Sequence, residues 1–580
     1  LDRRTAALWR EVWHDVCERG VSWRVEDGRI LREDGWAINL YGTNDVGAES
    51  RSTYDDYARM AELGLNAVRF VITHMRLEPS PGEYDMALLE RVRQGIEWAA
   101  EFGIYGVIDL HFPHPDWAVK GGKGYESPTG KPYSGLYHHV EHLRRTHELM
   151  MREVGMLPNV IAQEVPSNEP SLRGVYKGHQ AKDLLDRTIV TLPWQMENWN
   201  QFLKRRYGSI EALREAWRPD FDDPIEKGLG PDEHWDTNSI LPPGGREEDK
   251  QVCTRIYDYL LWAVDLHTGT CQKLAEAIKA IRPGILVFQQ QCLGGSDWSG
   301  DPIPLEFDTL QQIAGPDIDG LAAHYNRAWA PLMLPATKLY WYNGELPQAH
   351  WLSSWLEAHA RAGGILYWAY SSSPDPRENL RCLQPDGRLK RDRRFVPLMA
   401  DFYKTCFSSE PRERSIAIVC NSRLSATNGQ RFGGLGRMLT NLGLRFDLIG
   451  SMYLDAKPDV LADYQAVFFT LDYLAPKALE IILNSGKPAF LYGCLDRDLN
   501  ARSVVDDLGP AAEKLALSVK PVDVLGGGIQ GSLDLQGDWR LSLDPNEVGL
   551  NEGRHLPDYD DSQWQVQTVP GAWENIGQWE

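Results

Sequence analysis

The chain is poor in basic residues and in cysteine for its length. Its 580 residues include 61 Lys and Arg against 82 Asp and Glu, which gives a formal net charge of −21. Nucleic acid requires a basic face, so this charge balance argues against binding to a polyanion. The eight cysteines form no C-x-x-C pair and no Cys/His cluster with zinc-ligand spacing. We therefore expect buried or reduced thiols and no metal.

Long apolar runs are also missing. No uninterrupted apolar stretch is long enough to cross a bilayer, and the opening LDRRTAALWREVW does not have the pattern of a signal peptide. We expect no membrane association, and the sequence assigns no compartment. A chain of 580 residues exceeds one ordinary domain, and 42% hydrophobic with 25% charged residues is typical of a globular protein.

Roughly the first 400 residues alternate short apolar runs with segments of helical period, a pattern that predicts parallel β/α units. Helices such as YDDYARMAELG and MALLERVRQGIEWAAEFG end at Gly64 and Gly103. Eight such units predict a TIM (β/α)8 barrel over residues 1–410, with its active site at the carboxyl ends of the strands. The predicted strands are WAINLYGTND, NAVRFVIT, IYGVIDLHF, NVIAQEVPSNEP, ILVFQQQC, IDGLAAHYN, TKLYWYNGE and GGILYWAYSS.

Three further regions interrupt or follow this pattern. A polar insertion covers about 171–250 and contains the helical stretch WNQFLKRRYGSIEALREAW. Residues 411–525 predict a short Rossmann- or flavodoxin-like α/β layer. Its RFGGLG motif neither directly follows a strand nor keeps the G-x-G-x-x-G spacing, so we expect a helix-entry turn and no cofactor. After LGGGIQG, residues 526–580 become β-like, with too few strands to bury a sandwich core.

Polar residues finish several of the predicted strands, and in a barrel such residues surround one mouth. Burying an Arg inside an apolar strand costs free energy unless a carboxylate pairs with it. Arg69 can therefore form a structural ion pair within the barrel as well as belong to the site. The other polar and aromatic residues at the strand ends also have a structural alternative. A His or Trp there can be a core residue, Trp117 can anchor a loop, and Asp109 and Glu164 can be scaffold acids. The residues at the mouth are Arg69, His111, Asn168, Glu169, His324, Tyr325, Glu345 and Trp368.

Two acids stand out because they end strands on opposite sides of the mouth. Glu169 ends the fourth predicted strand and Glu345 ends the seventh. No His pair at ligand spacing accompanies them, so a metal is not indicated. Two carboxylates across a sugar-sized gap are what glycosidic cleavage needs, since one protonates the leaving oxygen and the other attacks or activates water.

The sequence resembles the glycoside hydrolases of the retaining (β/α)8 clan A. DYARMAELGLNAVRFVI, EPSPGEYD, VIDLH and NEP are similar to family 5 cellulases. HWLSSWLEAHARAGGILYWAYSSSPDPRENLRCLQPDG, and a barrel followed by a Rossmann-like trimerisation-type domain, are similar to family 42 β-galactosidases. GDWRLSLDPNEVG and YDDSQWQVQTVPGAWE resemble the opening of a family 2 galactose-binding-like jelly roll, which we expect to be incomplete at 526–580.

This resemblance implies a role for each mouth residue. Glu169 is the implied acid/base and Glu345 the implied nucleophile. Arg69 and Tyr325 are implied to keep Glu345 ionised, while Asn168 holds the substrate 2-hydroxyl. The remaining implied substrate contacts are His111, His324, Trp117 and Trp368, the last as the floor of the subsite. Two departures from the family pattern are Pro166-Ser167, which predicts a kink in strand four, and the flank YNGE before the nucleophile.

The implied activity is hydrolysis of β-glycosides with retention, and the substrate is a carbohydrate. We expect exo-action on oligosaccharides, with β-galactosides favoured, because loops at 113–150 and 171–250 can close one end of the site. The alternatives are an endo-β-glucanase or mannanase of the cellulase type, and a non-catalytic carbohydrate-binding protein on a degenerate barrel. A homotrimer or dimer is implied by the family 42 resemblance. The tryptophans of the second loop are Trp194, Trp199, Trp217 and Trp235.

Overall fold

A computed structural model shows the fold. It describes residues 21–26, 29–49, 51–111, 114–119, 139–167, 193–218, 228–241, 254–292, 317–324, 340–345, 364–370, 389–390, 396–398, 400, 416–420, 446–451, 454, 457–469, 477–491, 537–541 and 560–569. Within these ranges, no helix combines the length and the apolar character that a membrane span requires.

A closed barrel of eight parallel strands forms the main body, as predicted. The order around the barrel is β10-β11-β4-β5-β6-β7-β8-β9, and β9 pairs with β10 to close it. Each of the eight predicted strands is confirmed. Their bounds are β4 (Leu40–Asp45), β5 (Ala67–Thr73), β6 (Tyr105–His111), β7 (Val160–Val165), β8 (Leu286–Cys292), β9 (Gly320–His324), β10 (Tyr340–Glu345) and β11 (Gly364–Tyr370).

A small antiparallel sheet precedes the barrel and was not predicted. Its strands are β1 (Trp23–Glu26), β2 (Arg29–Arg32) and β3 (Ala37–Ile38). Trp23 and Ile30 of this sheet share an apolar cluster with Leu40, Ala67 and Leu286, which begin barrel strands. The sheet therefore closes the amino-terminal end of the barrel, opposite the mouth.

Helices cover the outside of the barrel. In the helix over Met86–Glu101, the buried face includes Leu88, Val92 and Ile96, and the Asp85 side chain caps the amino end by accepting from the Leu88 amide. The helices are α1 (Tyr54–Glu62), α2 (His74–Leu77), α3 (Met86–Glu101), α4 (Asp116–Val119), α5 (Val140–Met150), α6 (Pro193–Tyr207), α7 (Ile210–Ala216) and α8 (Thr254–Ile281); a π-helical turn, Met151–Gly155, extends α5.

The polar insertion folds around its own tryptophans. Trp199 and Trp217 stack with ring centroids 6.2 Å apart, and neither ring is exposed. Asp258 of α8 accepts hydrogen bonds from the Trp217 indole at 2.7 Å and the Tyr207 hydroxyl at 2.6 Å. Because Trp235 is also buried, these three rings form the interior of the insertion and present no face to a sugar.

A four-stranded parallel sheet follows the barrel in the order β13-β12-β14-β15. The predicted strands of this region are confirmed, whereas its role as a trimerisation-type domain over 411–525 stays a prediction, and RFGGLG lies outside the described residues. The elements are β12 (Ile416–Cys420), β13 (Phe446–Gly450), β14 (Ala466–Phe469), α9 (Ala478–Asn484) and β15 (Ala489–Leu491).

The chain divides into two compact units, Leu1–Lys520 and Pro521–Glu580. In the second unit, β16 (Gly537–Leu541) pairs antiparallel with β17 (Gln565–Val569). The expected jelly roll over 526–580 stays a prediction.

Candidate active site

A layer of buried polar side chains crosses the barrel interior just below the mouth. The guanidinium of Arg69 lies at its centre, with Nε 2.7 Å from Glu164 and Nη2 2.8 Å from Asp109. Its Nη1 donates to the amide oxygen of Asn44 at 2.7 Å. All of these side chains are inaccessible to solvent. The expected carboxylate partner of Arg69 is therefore present twice, and Asp109 and Glu164 serve as the scaffold acids predicted for them.

Two amides brace this layer across further strands. Gln290 of β8 donates from Nε2 to Asp109 at 3.0 Å and also to Glu164. Asn44 of β4 donates from Nδ2 to the backbone carbonyls of Leu366 and Tyr367 on β11, each at 3.0 Å. The sequence reading missed both amides. The available signal for Gln290 was the run QQQ inside an otherwise apolar strand.

His111 is the last residue of β6 and connects this layer to the mouth. Its Nδ1 lies 3.0 Å from Oδ2 of Asp109, the carboxylate that also binds Arg69. The ring is 6% exposed, so it is almost wholly enclosed. Asp109 thus fixes the orientation of the His111 imidazole relative to the strand. The substrate-binding role of His111 stays a prediction.

A histidine from α5 holds the carboxyl end of β7, the fourth barrel strand. The Pro166 carbonyl accepts from Nε2 of His147 at 2.8 Å, and Nδ1 of the same ring lies 2.7 Å from Nε2 of Gln163. Burial lowers the pKa of His147 to about 4, so the ring is neutral at neutral pH. The Val165-Pro166 peptide is cis, and β7 stops at Val165. His147 therefore anchors the backbone immediately before Asn168 and Glu169.

A second buried polar group lies where β5 and β6 end. His74 follows β5 directly, and its Nδ1 lies 2.8 Å from Nδ1 of His114, which comes three residues after β6. The other nitrogen of His74, Nε2, is 3.4 Å from Glu78. Burial lowers the pKa of both imidazoles. The sequence reading assigned no role to any of these three residues.

Trp117 of α4 packs beside this group. Its indole donates to the Glu78 backbone carbonyl at 3.2 Å, and its ring meets those of His74 and His142 edge to face at 5.8 and 5.3 Å. The ring is half-buried. These contacts are those expected of a loop anchor. That Trp117 also contacts substrate stays a prediction.

The backbone places three further predicted residues at the mouth. His324 is the last residue of β9 and Glu345 the last of β10, where the register pairs it with Trp368 of β11. Asn168, Glu169 and Tyr325 lie outside the described residues. Their catalytic and substrate-binding roles stay predictions. Within the described part of the chain, no group of three or more His, Cys, Asp or Glu side chains can hold a metal ion.

Residues 31–191 match the family model for cellulase (glycosyl hydrolase family 5). The chain is 24% identical over 188 residues to a probable glucan 1,3-β-glucosidase A of Emericella nidulans. That alignment covers 28% of this chain and 46% of the relative, so it spans less than half the relative's length.

Three solved structures have a similar fold. A β-galactosidase from the psychrophilic Marinomonas ef1 has a TM-score of 0.57 at 14% identity, covering 80% of this chain and 77% of that one. A family 42 β-galactosidase from G. stearothermophilus gives 0.58 at 13%, covering 88% and 77%. An exo-β-1,4-mannosidase from Opitutaceae bacterium strain TAV5 gives 0.50 at 14%, covering 84% and 82%. At these identities the similarity shows the fold.

Proposed function

We propose that this chain, which has the barrel fold of the clan A glycoside hydrolases, cleaves β-glycosidic bonds with retention of configuration. One relationship carries the proposal. The cellulase-family match at 31–191 spans the first four barrel strands and includes Asn168-Glu169, and the seventh strand ends at Glu345. Parallel strands bring their carboxyl ends to one mouth, which supports assigning both acids to one site.

In the proposed reaction, the Glu345 carboxylate attacks C1 while Glu169 protonates the departing oxygen. Glu169 then takes a proton from water, and the resulting hydroxide equivalent releases the sugar from Glu345. Glu169 must begin protonated and Glu345 ionised, so their surroundings must separate the two pKa values. The Arg69 layer contributes by fixing His111 through Asp109 beside the reacting sugar.

We further propose exo-action on short glycans, with β-galactosides preferred. The support for exo-action is the position of the insertion. Helices of such a barrel run antiparallel to its strands, so α8 begins on the mouth side. Asp258 and Trp262 near that start pack into the insertion, whereas Leu274 and Ile278 pack into the barrel core. This packing puts the insertion on the mouth side, and that position supports a cleft closed at one end.

Two alternative functions predict different results. An endo-β-glucanase or mannanase hydrolyses internal bonds of a polysaccharide faster than it hydrolyses an aryl glycoside of a single sugar. A non-catalytic carbohydrate-binding protein binds sugars without releasing nitrophenol. A panel of nitrophenyl β-glycosides, together with soluble glucan and mannan, separates the three functions by the substrate that is turned over fastest.

The catalytic assignment is tested with isosteric variants. Glu169→Gln and Glu345→Gln should each lower kcat/KM on the best aryl glycoside by at least about a hundred-fold, the scale of an acid–base contribution. Glu211→Gln, an exposed glutamate on α7, is the matched control and should keep wild-type activity. Equal nitrophenol release by all four proteins would refute the assignment.

The stereochemistry and assembly have their own tests. Proton NMR of the first product should show the β-anomer, and azide should restore activity to Glu169→Ala with a β-azide product. An α-anomer formed first would instead establish inversion. Light scattering after size exclusion should show a trimer or dimer, and a strict monomer would remove the proposed assembly.

A further inference from the structure

Glu78, His74 and His114 form a relay of hydrogen bonds that the proposed reaction does not use. The side chains of all three residues are buried, with exposed fractions of 0%, 1% and 4%. Glu78 Oε2 lies 3.4 Å from His74 Nε2, and His74 Nδ1 lies 2.8 Å from His114 Nδ1. The last atom of the relay, Nε2 of His114, has no hydrogen-bond partner among the described residues. Buried polar nitrogens in proteins normally have a hydrogen-bond partner, so this one is a position where a bound molecule can supply it.

The carboxylate end of the relay can only accept. Burial opposes its charge, yet hydrogen bonds from His74, Thr146 and the Gly82 amide keep the pKa of Glu78 below its usual value. The Gly82 amide donates to Oε1 at 2.8 Å, and Thr146 donates to Oε2 beside His74. An ionised carboxylate holds no proton, so His74 must donate from Nε2.

This donation sets the tautomer of both rings. Burial keeps both imidazoles neutral, so each ring carries one proton. Since Nε2 of His74 holds its proton, Nδ1 of His74 is an acceptor, and Nδ1 of His114 must donate to it. The proton of His114 is thereby used, and its Nε2 is left as a bare acceptor.

The location fits a contact with substrate. His114 comes three residues after His111, at the carboxyl end of the third barrel strand. Electrostatic interaction with His111 and His147 contributes to the lowered pKa of His114, so its imidazole lies near both rings. His111 is a predicted substrate contact, and His147 anchors the end of β7. His114 therefore lies near two residues that belong to or support the mouth.

We propose that His114 is a specificity-determining residue, whose Nε2 accepts a hydrogen bond from one hydroxyl of the bound sugar. The Glu78–His74 pair positions it by fixing that nitrogen as an acceptor. This inference rests on the proposed function, because a carbohydrate supplies the hydroxyl. The site rejects a sugar that lacks this hydroxyl, since the acceptor would then be buried unsatisfied.

The test couples His114 variants to monodeoxy substrates. On the preferred aryl glycoside, His114→Phe should lower kcat/KM roughly ten- to hundred-fold, while His114→Gln, which keeps an acceptor oxygen, should retain most activity. With the wild-type enzyme, kcat/KM should fall by a similar factor when one particular hydroxyl of the substrate is replaced by hydrogen. With His114→Phe, removing that same hydroxyl should lower kcat/KM no further. An equal loss by His114→Phe on every analogue would overturn the inference but leave the proposed function intact.

A second variant tests the relay without removing the imidazole. In Glu78→Gln, the Gly82 amide still needs the oxygen at Oε1, so the amide nitrogen faces His74 and donates to it. Both tautomers then reverse, and His114 Nε2 becomes a donor. Nitrogen-15 NMR of labelled histidine should show this Nε2 bare in wild type and protonated in Glu78→Gln. An unchanged Nε2 signal would contradict the relay.

Substrates carrying fluorine in place of the critical hydroxyl complete the test, because fluorine accepts but cannot donate. Wild type should turn over the fluoro and deoxy analogues equally poorly after correction for their intrinsic reactivity. Glu78→Gln should favour the fluoro analogue over the deoxy analogue several-fold more than wild type does. An identical fluoro/deoxy ratio in both proteins would overturn the inference. If wild type hydrolyses no glycoside at all, the proposed function falls, and this inference falls with it.

Discussion

The guanidinium of Arg69 and the carboxylate of Glu164 meet at 2.7 Å inside the barrel, and neither is exposed. The same guanidinium binds Asp109 at 2.8 Å, so one cation serves acids from two other strands. Desolvating these charges is costly, and their mutual contacts, together with the hydrogen bonds that Gln290 donates to both acids, offset that cost. The layer is therefore a structural requirement as well as the support of the mouth.

Removing the cation should be strongly destabilising. We expect Arg69→Met to lower the free energy of unfolding by about 3–5 kcal/mol, because two buried carboxylates lose their partner. Urea unfolding followed by circular dichroism measures the change. The double variant Arg69→Met/Glu164→Gln should lose less than the sum of the two single variants. Strict additivity would show that the pair is not coupled.

His147 should matter for activity as well as stability. His147→Phe removes the donor to the Pro166 carbonyl, two residues before Asn168, so the acid/base loop loses its anchor. We expect kcat to fall roughly ten-fold or more with a smaller change in KM, since misplacement affects the chemical step. The pH profile of kcat/KM should also shift on its basic limb, which reports the proposed acid. An unaltered profile with reduced stability alone would mean that His147 is only structural.

The barrel itself could be predicted because each strand is a short apolar run bounded by turn residues or helices. The pairing of Arg69 with a carboxylate could also be predicted, since a buried Arg needs one. Which acids pair with it could not, because Asp109 and Glu164 come from strands that only the closed sheet brings together. Local sequence carries no record of that proximity.

Other features of the structure could not be predicted from the sequence, and the physical reason differs from one to the next. The sequence did not show that Trp199 and Trp217 stack on each other inside the insertion, because a polar insertion of this length must bury its own core and only the fold shows which rings form it. The expectation that this loop closes one end of the site stays a prediction. His147 acts on a backbone carbonyl, which every residue has, so no side-chain pattern marks it. His74 and His114 follow strand ends, and that position was the signal available.

Two glycines offer a matched test of the fold. A Cβ added to Gly42 would lie 2.0 Å from the Ala67 carbonyl oxygen on the neighbouring strand, so Gly42→Ala must push β4 and β5 apart. We expect it to cost several kcal/mol or prevent folding. Gly269 lies exposed within α8 with nothing near its Cβ position, so Gly269→Ala should stabilise by about 0.5–1 kcal/mol. Thermal unfolding of both variants measures the contrast, and similar melting temperatures would argue against the strand register.

Acid should unfold the protein through its buried neutral histidines. Burial lowers the pKa of His147 and of His267 on α8 to about 4, against 6.5 in the unfolded chain. Between these values the unfolded state binds more protons, so stability is complete above about pH 6.5 and is lost as the pH falls towards 4. Each ring accounts for a loss of about 3 kcal/mol over that window.

Urea midpoints measured from pH 7 to 4 should fall steeply in wild type and less steeply in His267→Gln, which cannot titrate there. His234→Gln, at a partly exposed position, is the control and should keep the wild-type slope. Equal slopes in all three proteins would show that His267 does not stay neutral in the folded state.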